Sequence, residues 1–142
     1  MCIRDRDHCR NTIRDGKPLT EDQDVRDTLA DIYIRSHVGR LFGMRNFWLT
    51  YARQPKSYEG PQLSLYMKLT GLWTTGAILQ AVGPEALTTD PTWGSEDGFL
   101  ETQQRNGIIL MHPGGTADIQ KVSMARRIGI GRATREAAGE VA

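Results

Sequence analysis

Apolar side chains recur every three or four positions through the first half of the chain, at Val25, Leu29, Ile32, Tyr33, Leu41, Phe42, Met44, Phe47, Trp48 and Tyr51. A half-buried strand would alternate with period two, so this spacing belongs to a helix. The pattern predicts a helix that starts near Asp22 or Asp24 and stops before Pro55, about 30 residues and roughly 45 Å long. Asp22, Asp24, Asp27 and Asp31 stand near its start, and Arg35, Arg40, Arg45 and Arg53 follow toward its end. That order complements the helix dipole. Globular helices average about 11 residues, so the length indicates a bundle of long helices.

Gln54 to Gly60 reads as a loop, and Pro61 suits the opening of a second helix. Leu65, Leu69, Leu72, Gly76 and Leu79 lie near one face, broadened by Tyr66, Trp73 and Ala77. Gly71 and Gly76 each weaken such a helix by about 1 kcal/mol relative to alanine, which predicts close approach by another helix there. The element ends near Val82-Gly83-Pro84. Residues 84–98 read as a connection with an isolated Trp93 and a short helical turn from Glu96. Phe99 to Met111, with its run Ile108-Ile109-Leu110-Met111, fits either a buried helical end or a short extended piece. A third helix is predicted from Ala117 to Ile128, stopped by Gly129 and Gly131.

Residues 1–21 read as a polar, loose N-terminal segment with turn signals at Asp15-Gly16 and Lys17-Pro18. Met1 to Arg6 resembles a translated sequencing-adapter artefact and is set aside from fold reasoning. Residues 22–131 form the expected domain and 132–142 a frayed tail. The fold class is all-α, an up-down helical bundle. Two long helices and a shorter one leave one side of the apolar surface open, since such bundles usually close with a fourth helix. The expectation is an incomplete bundle, a piece of a larger protein, with oligomer contact as the other way to cover that surface.

Charge and composition narrow the function. The 18 basic and 17 acidic residues give a formal charge of +1, with no basic block to bind nucleic acid. There is no apolar run of about 18 residues for a membrane span, and the charged start has no signal-peptide core. Cys2 and Cys9 are expected to be reduced thiols in the cytoplasm. His8 and His37 lack partners at metal spacing. Trp48, Tyr51 and Trp73 read as core or interface aromatics, and His112 as structural or exposed.

The segment with the most chemical content is His112-Pro113-Gly114-Gly115-Thr116-Ala117-Asp118-Ile119-Gln120. Paired glycines permit a tight turn and close approach of bare amides to a ligand. Thr116 can cap the helix that follows. The first-turn amides of that helix suit an anionic or electron-rich group.

The chain resembles the C-terminal helical domain of the acyl-CoA dehydrogenase family from about Cys9 to Arg132. Three stretches carry the resemblance. They are Arg14-Asp15-Gly16-Lys17-Pro18-Leu19 with Val25 to Ile34, the Leu65 to Leu79 helix, and Gly114 to Gln120 followed by Ala125-Arg126-Arg127-Ile128-Gly129. The resemblance implies one third of a flavoenzyme that oxidises an acyl-CoA thioester to the 2,3-enoyl-CoA. It implies FAD as cofactor, electron-transferring flavoprotein as acceptor, and a homo-oligomer, dimer or tetramer. In many members a glutamate base stands immediately before the Gly-Thr of the terminal motif; that position is Gly114 here. The base is therefore expected outside this chain, and the chain alone is expected to be inactive. By the same resemblance Gly115, Thr116 and Asp118 contact the cofactor. Gln80 stands where the family meets the adenine end of a neighbour's FAD, although Pro84 replaces the second glycine of that signature. A non-catalytic assembly module of the same fold and an acyl-CoA oxidase are the alternatives.

Overall fold

A computed structural model describes residues 2–90, 92–94 and 98–130. The predicted helical turn from Glu96, the stop at Gly131 and the tail over 132–142 lie outside the described residues. The chain order is α1 (Cys2–Asn11), a short hairpin of β1 (Ile13–Arg14) and β2 (Lys17–Pro18), a 3-10 turn (Leu19–Glu21), α2 (Gln23–Tyr51), α3 (Glu59–Val82), a second 3-10 turn (Pro84–Leu87), α4 (Phe99–Ile109) and α5 (Ala117–Arg127). The hairpin pairs Ile13 with Pro18 and Arg14 with Lys17, antiparallel. The all-α class and the two long helices agree with the sequence pattern.

Asp22 starts α2 as anticipated. Its side chain accepts from the amides of Asp24 (2.8 Å) and Val25 (3.3 Å), satisfying two donors that the first turn leaves without a partner. The α2–α3 pair is antiparallel. Asn46 donates to the Glu59 carbonyl at one end (2.9 Å), and the Tyr66 hydroxyl donates to the Arg35 carbonyl further along (3.0 Å). At the elbow Glu59 accepts from the Ser57 amide (2.8 Å) and from Arg45 (3.2 Å).

Two elements differ from expectation. The supposed loose N-terminus contains α1, which packs on α2 and takes in residues set aside as an artefact. Cys9 is fully buried and joins Leu19, Val25, Ile32, Ile78, Ala81, Val82, Ala86 and Leu100 in the core. Its thiol is pushed up to about 11 by burial first and the Asp5 charge second, with Arg14 opposing. Cys9 is thus an inert packing group rather than a thiol in a solvated tail. Asp5, on the same helix, is buried as well.

The second difference is α4. Phe99 to Ile109 is helical, and its apolar end points outward: Ile108, Ile109 and Leu110 are all exposed. Leu100 and Gly107 are the buried residues that fix it. The close helix crossing predicted at Gly71 and Gly76 is not found among the described residues; a Cβ at either would meet nothing within 4 Å. It lies at Gly107, where a Cβ would come within 2.8 Å of the Thr75 Oγ1. Thr75 is buried and donates to the carbonyls of Gly71 and Leu72 within its own helix (3.1 and 3.0 Å). Only a residue without a side chain lets α4 sit on that hydroxyl.

The polypeptide then runs α4 and α5 one after the other along α3. Gly107 faces Thr75, Leu110 and Pro113 face Lys68, and Arg127 at the end of α5 donates to the Ser57 carbonyl. A broken third helix covers α3, and the break is the glycine turn.

Candidate functional site

The turn between α4 and α5 is built from backbone that ordinary residues avoid. Gly114 has φ +70° and Gly115 φ +90°, in the left-handed half of the map where a Cβ is costly. Their surroundings differ. A Cβ on Gly115 would press on Gln120 Nε2 at 3.1 Å and Ile119 Cγ2 at 3.2 Å, whereas one on Gly114 would meet nothing within 4 Å. Gly115 therefore serves inward packing, and among the described residues the outer side of Gly114 is clear.

Thr116 follows in extended backbone (φ −63°, ψ 166°) as the N-cap of α5, its Oγ1 accepting from the Ile119 amide at 3.3 Å. Among the described residues the amides of Ala117 and Asp118 donate to nothing, so the N-terminus of α5 keeps bare donors next to the turn. Asp118 is exposed and pairs with Lys121 at 3.0 Å. Its carboxylate sits in the first turn, where the dipole favours negative charge. The far end of α5 closes with Gly129 at φ +93° and the Ile130 amide donating to the Ala125 carbonyl at 2.9 Å, the Schellman arrangement that the sequence signalled through Gly129.

Three polar contacts hold the turn from behind. Lys68 on α3 donates to the carbonyls of Leu110 (2.8 Å) and Pro113 (2.7 Å). Gln120, buried on α5, donates to the Gly114 carbonyl (2.6 Å). Sequence reasoning passed over Lys68, because a lysine on a helix gives no sign that it reaches across to another element. Gln120 was within the motif, but its partner was not visible in spacing.

Gly114, Gly115, Thr116 and Asp118 come together at this corner, and His112 lies exposed just ahead of them. Gln80 does not join them. It is exposed near the end of α3, 12 residues along that helix from Lys68, or about 18 Å. What stands beside it is Arg14, which the hairpin delivers to the C-terminus of α3. There the guanidinium donates to the carbonyls of Ala81 (3.4 Å) and Val82, a cation at the negative end of the helix.

The other candidates lie outside this corner, and of the aromatics expected in a core or interface only Trp73 is packed. Trp73 packs against the core, with the Arg35 guanidinium 4.0 Å above its ring. Trp48 and Tyr51 are exposed on the far side of α2, the latter stacked near Phe47. His8 pairs with the Thr12 hydroxyl at 3.2 Å, and His37 lies against Tyr33. Among the described residues no group of three or more His, Cys, Asp or Glu is placed to hold a metal ion. No described helix is long and apolar enough to cross a membrane.

The outer face at Gly114 is clear of side chains, bare amides border it, and a hydroxyl stands at Thr116. Those groups suit phosphate or carbonyl oxygens. The carboxylate of Asp118, in the first turn of α5, is neutralised in part by Lys121.

Comparison with known proteins gives a consistent result. The sequence profile of the acyl-CoA dehydrogenase C-terminal domain matches residues 4–129. No curated protein matches the chain. Among solved structures, the FAD complex of PigA superposes with a TM-score of 0.80 at 21% identity, covering 91% of this chain and 32% of PigA. The ChsE4-ChsE5 complex from Mycobacterium tuberculosis gives 0.79 at 20% identity, covering 90% and 33%. The prolyl acyl carrier protein oxidase AnaB gives 0.76 at 19%, covering 90% and 32%. The chain spans about one third of the length of these structures. With the profile match extending over most of its residues, the chain belongs to the acyl-CoA dehydrogenase family, in the region of that family's C-terminal helical domain.

Proposed function

We propose that this chain serves as the C-terminal third of an FAD-dependent acyl-CoA dehydrogenase that converts an acyl-CoA thioester to the 2,3-enoyl-CoA. The observation that carries the proposal is the glycine corner before α5, with left-handed Gly114 and Gly115, a clear outer face and bare amides at Ala117 and Asp118. Gly115, Thr116 and Asp118 would hold FAD there, and Gln80 would meet the adenine end of the FAD of a neighbouring copy. FAD, when bound, supplies the two-electron acceptor that takes hydride from the β carbon.

The chain's own contribution is positional. Thr116 offers a hydroxyl, the first turn of α5 offers backbone donors, and Asp118 contributes through its amide, since its carboxylate would repel a pyrophosphate. Abstraction of the α proton needs a base held within hydrogen-bond reach. Gly114 has no group to do it, so the base belongs to another segment of the enzyme. Electron-transferring flavoprotein is the proposed acceptor, and a homo-oligomer in the cytoplasm the proposed working form. The similar ChsE4-ChsE5 structure is a complex, which supports assembly as a habit of the fold.

The test is to purify the protein that carries this segment at full length and record its visible spectrum. The expected result is a retained flavin absorbance that bleaches when an acyl-CoA from a chain-length panel is added without oxygen. Absence of flavin would point instead to a non-catalytic assembly module. Bleaching followed by direct oxygen consumption would reassign the enzyme as an acyl-CoA oxidase.

A further inference from the structure

The corner's shape does not follow from its glycines alone. Glycine loses more freedom on folding than any other residue, and two in succession specify no single turn. Side chains from two helices supply what the glycines lack. The carbonyls of Leu110, Pro113 and Gly114 are all taken by donors, the first two by Lys68 on α3 and the third by Gln120 on α5. The Leu110 carbonyl belongs to the C-cap of α4, so the ammonium also complements the negative end of that helix. With these carbonyls bonded to α3 and α5, and the Met111 and His112 amides bonded back to α4, the amides of Gly114, Gly115 and Thr116 are left without a partner among the described residues.

We infer that Lys68 is a positioning residue for the cofactor corner: its ammonium ties the end of α4 and Pro113 to the middle of α3 and so sets the approach of Gly114, Gly115 and Thr116. This rests on the reading of that corner as the FAD contact. The residue acts through the turn and touches no reacting atom. One cationic group serves two carbonyls, and hydrogen bonds from a charged donor are the stronger kind. Methionine, of similar length, has no donor to offer either carbonyl.

The experiment compares Lys68→Met, Lys68→Arg and a packing control, Ile78→Val, in the full-length protein. Hydrogen exchange across residues 112–120 is measured without cofactor, and FAD dissociation is measured separately. Lys68→Met is expected to speed exchange at Gly114, Gly115 and Thr116 and to weaken FAD binding by about tenfold. Lys68→Arg should recover most of both, and Ile78→Val should lower the melting temperature while moving neither. Unchanged exchange in Lys68→Met would overturn the inference, as would a loosened turn that binds FAD as tightly as before. A wild-type protein that binds no FAD would contradict the functional proposal instead, and the exchange comparison would still decide whether Lys68 sets the turn.

Discussion

The two ends of α3 are held by different physics. Toward its C-terminus, α3 meets α1, α2 and α4 in an apolar core, where Ile32, Val82 and Cys9 are sealed from water. Toward its middle and N-terminus it meets the glycine turn and α5, where Ile119 and Val122 are exposed and the contacts are polar. The first region takes its stability from burial. The second takes its shape from a lysine, a glutamine and a threonine bonded to backbone. A corner that receives a ligand, as proposed for this one, has to keep groups outward and so is not fixed by packing on every side.

That contrast orders the expected effects of mutation. Ile32→Ala should cost the most, about 2–5 kcal/mol, because it opens a cavity in the sealed core; urea unfolding would measure it, and a loss below 1 kcal/mol would break the contrast. Gly115→Ala should cost about 1–3 kcal/mol, since the left-handed backbone and the contacts to Gln120 and Ile119 both resist a methyl group. The same measurement applies, and a neutral result would mean that the turn is free to relax. Thr116→Ala should cost about 1 kcal/mol through loss of the α5 cap, and the loss should appear as faster exchange in the first turn of α5 rather than in α2.

The smallest effect concerns the elbow at Glu59. Its carboxylate is held below the ordinary range by the Ser57 amide first, then by its own amide, with Arg45 and Arg127 adding while burial opposes. A group whose folded pKa is depressed stabilises the fold above its unfolded pKa and loses that contribution as pH falls through the folded value. Melting temperature should therefore drop on acidification below the usual carboxylate range, and Glu59→Gln should flatten that part of the profile. An unchanged profile in the variant would place the acid sensitivity elsewhere.

Much of this architecture was legible in the chain. The three-and-four spacing from Val25 to Tyr51, the Asp22 cap and the Gly129 stop each correspond to a local physical requirement, and each stands where it was expected. The buried face of α2 was harder to read. Val25, Ile32, Gly39 and Leu49 face inward, while Tyr33, Leu41, Met44, Trp48 and Tyr51 lie exposed on the other side. Both sets are apolar, and hydrophobicity alone does not say which face the chain itself covers. Helix α1 gave no periodic signal, because its mean hydropathy is low and one of its buried groups is an aspartate. The glycine corner was legible as a turn before a capped helix. Its support was not, since Lys68 lies some 45 residues away and looks like any surface lysine until its carbonyl partners are known.

If the glycines before α5 hold amides against a flavin, as proposed, amide exchange at Gly115 to Asp118 in the full-length protein should differ between the FAD-bound protein and the same protein stripped of FAD. Protection that rises by at least about tenfold on FAD binding, confined to this corner and its flavin neighbours, is the predicted result. Full FAD occupancy with no change at those four amides would contradict it.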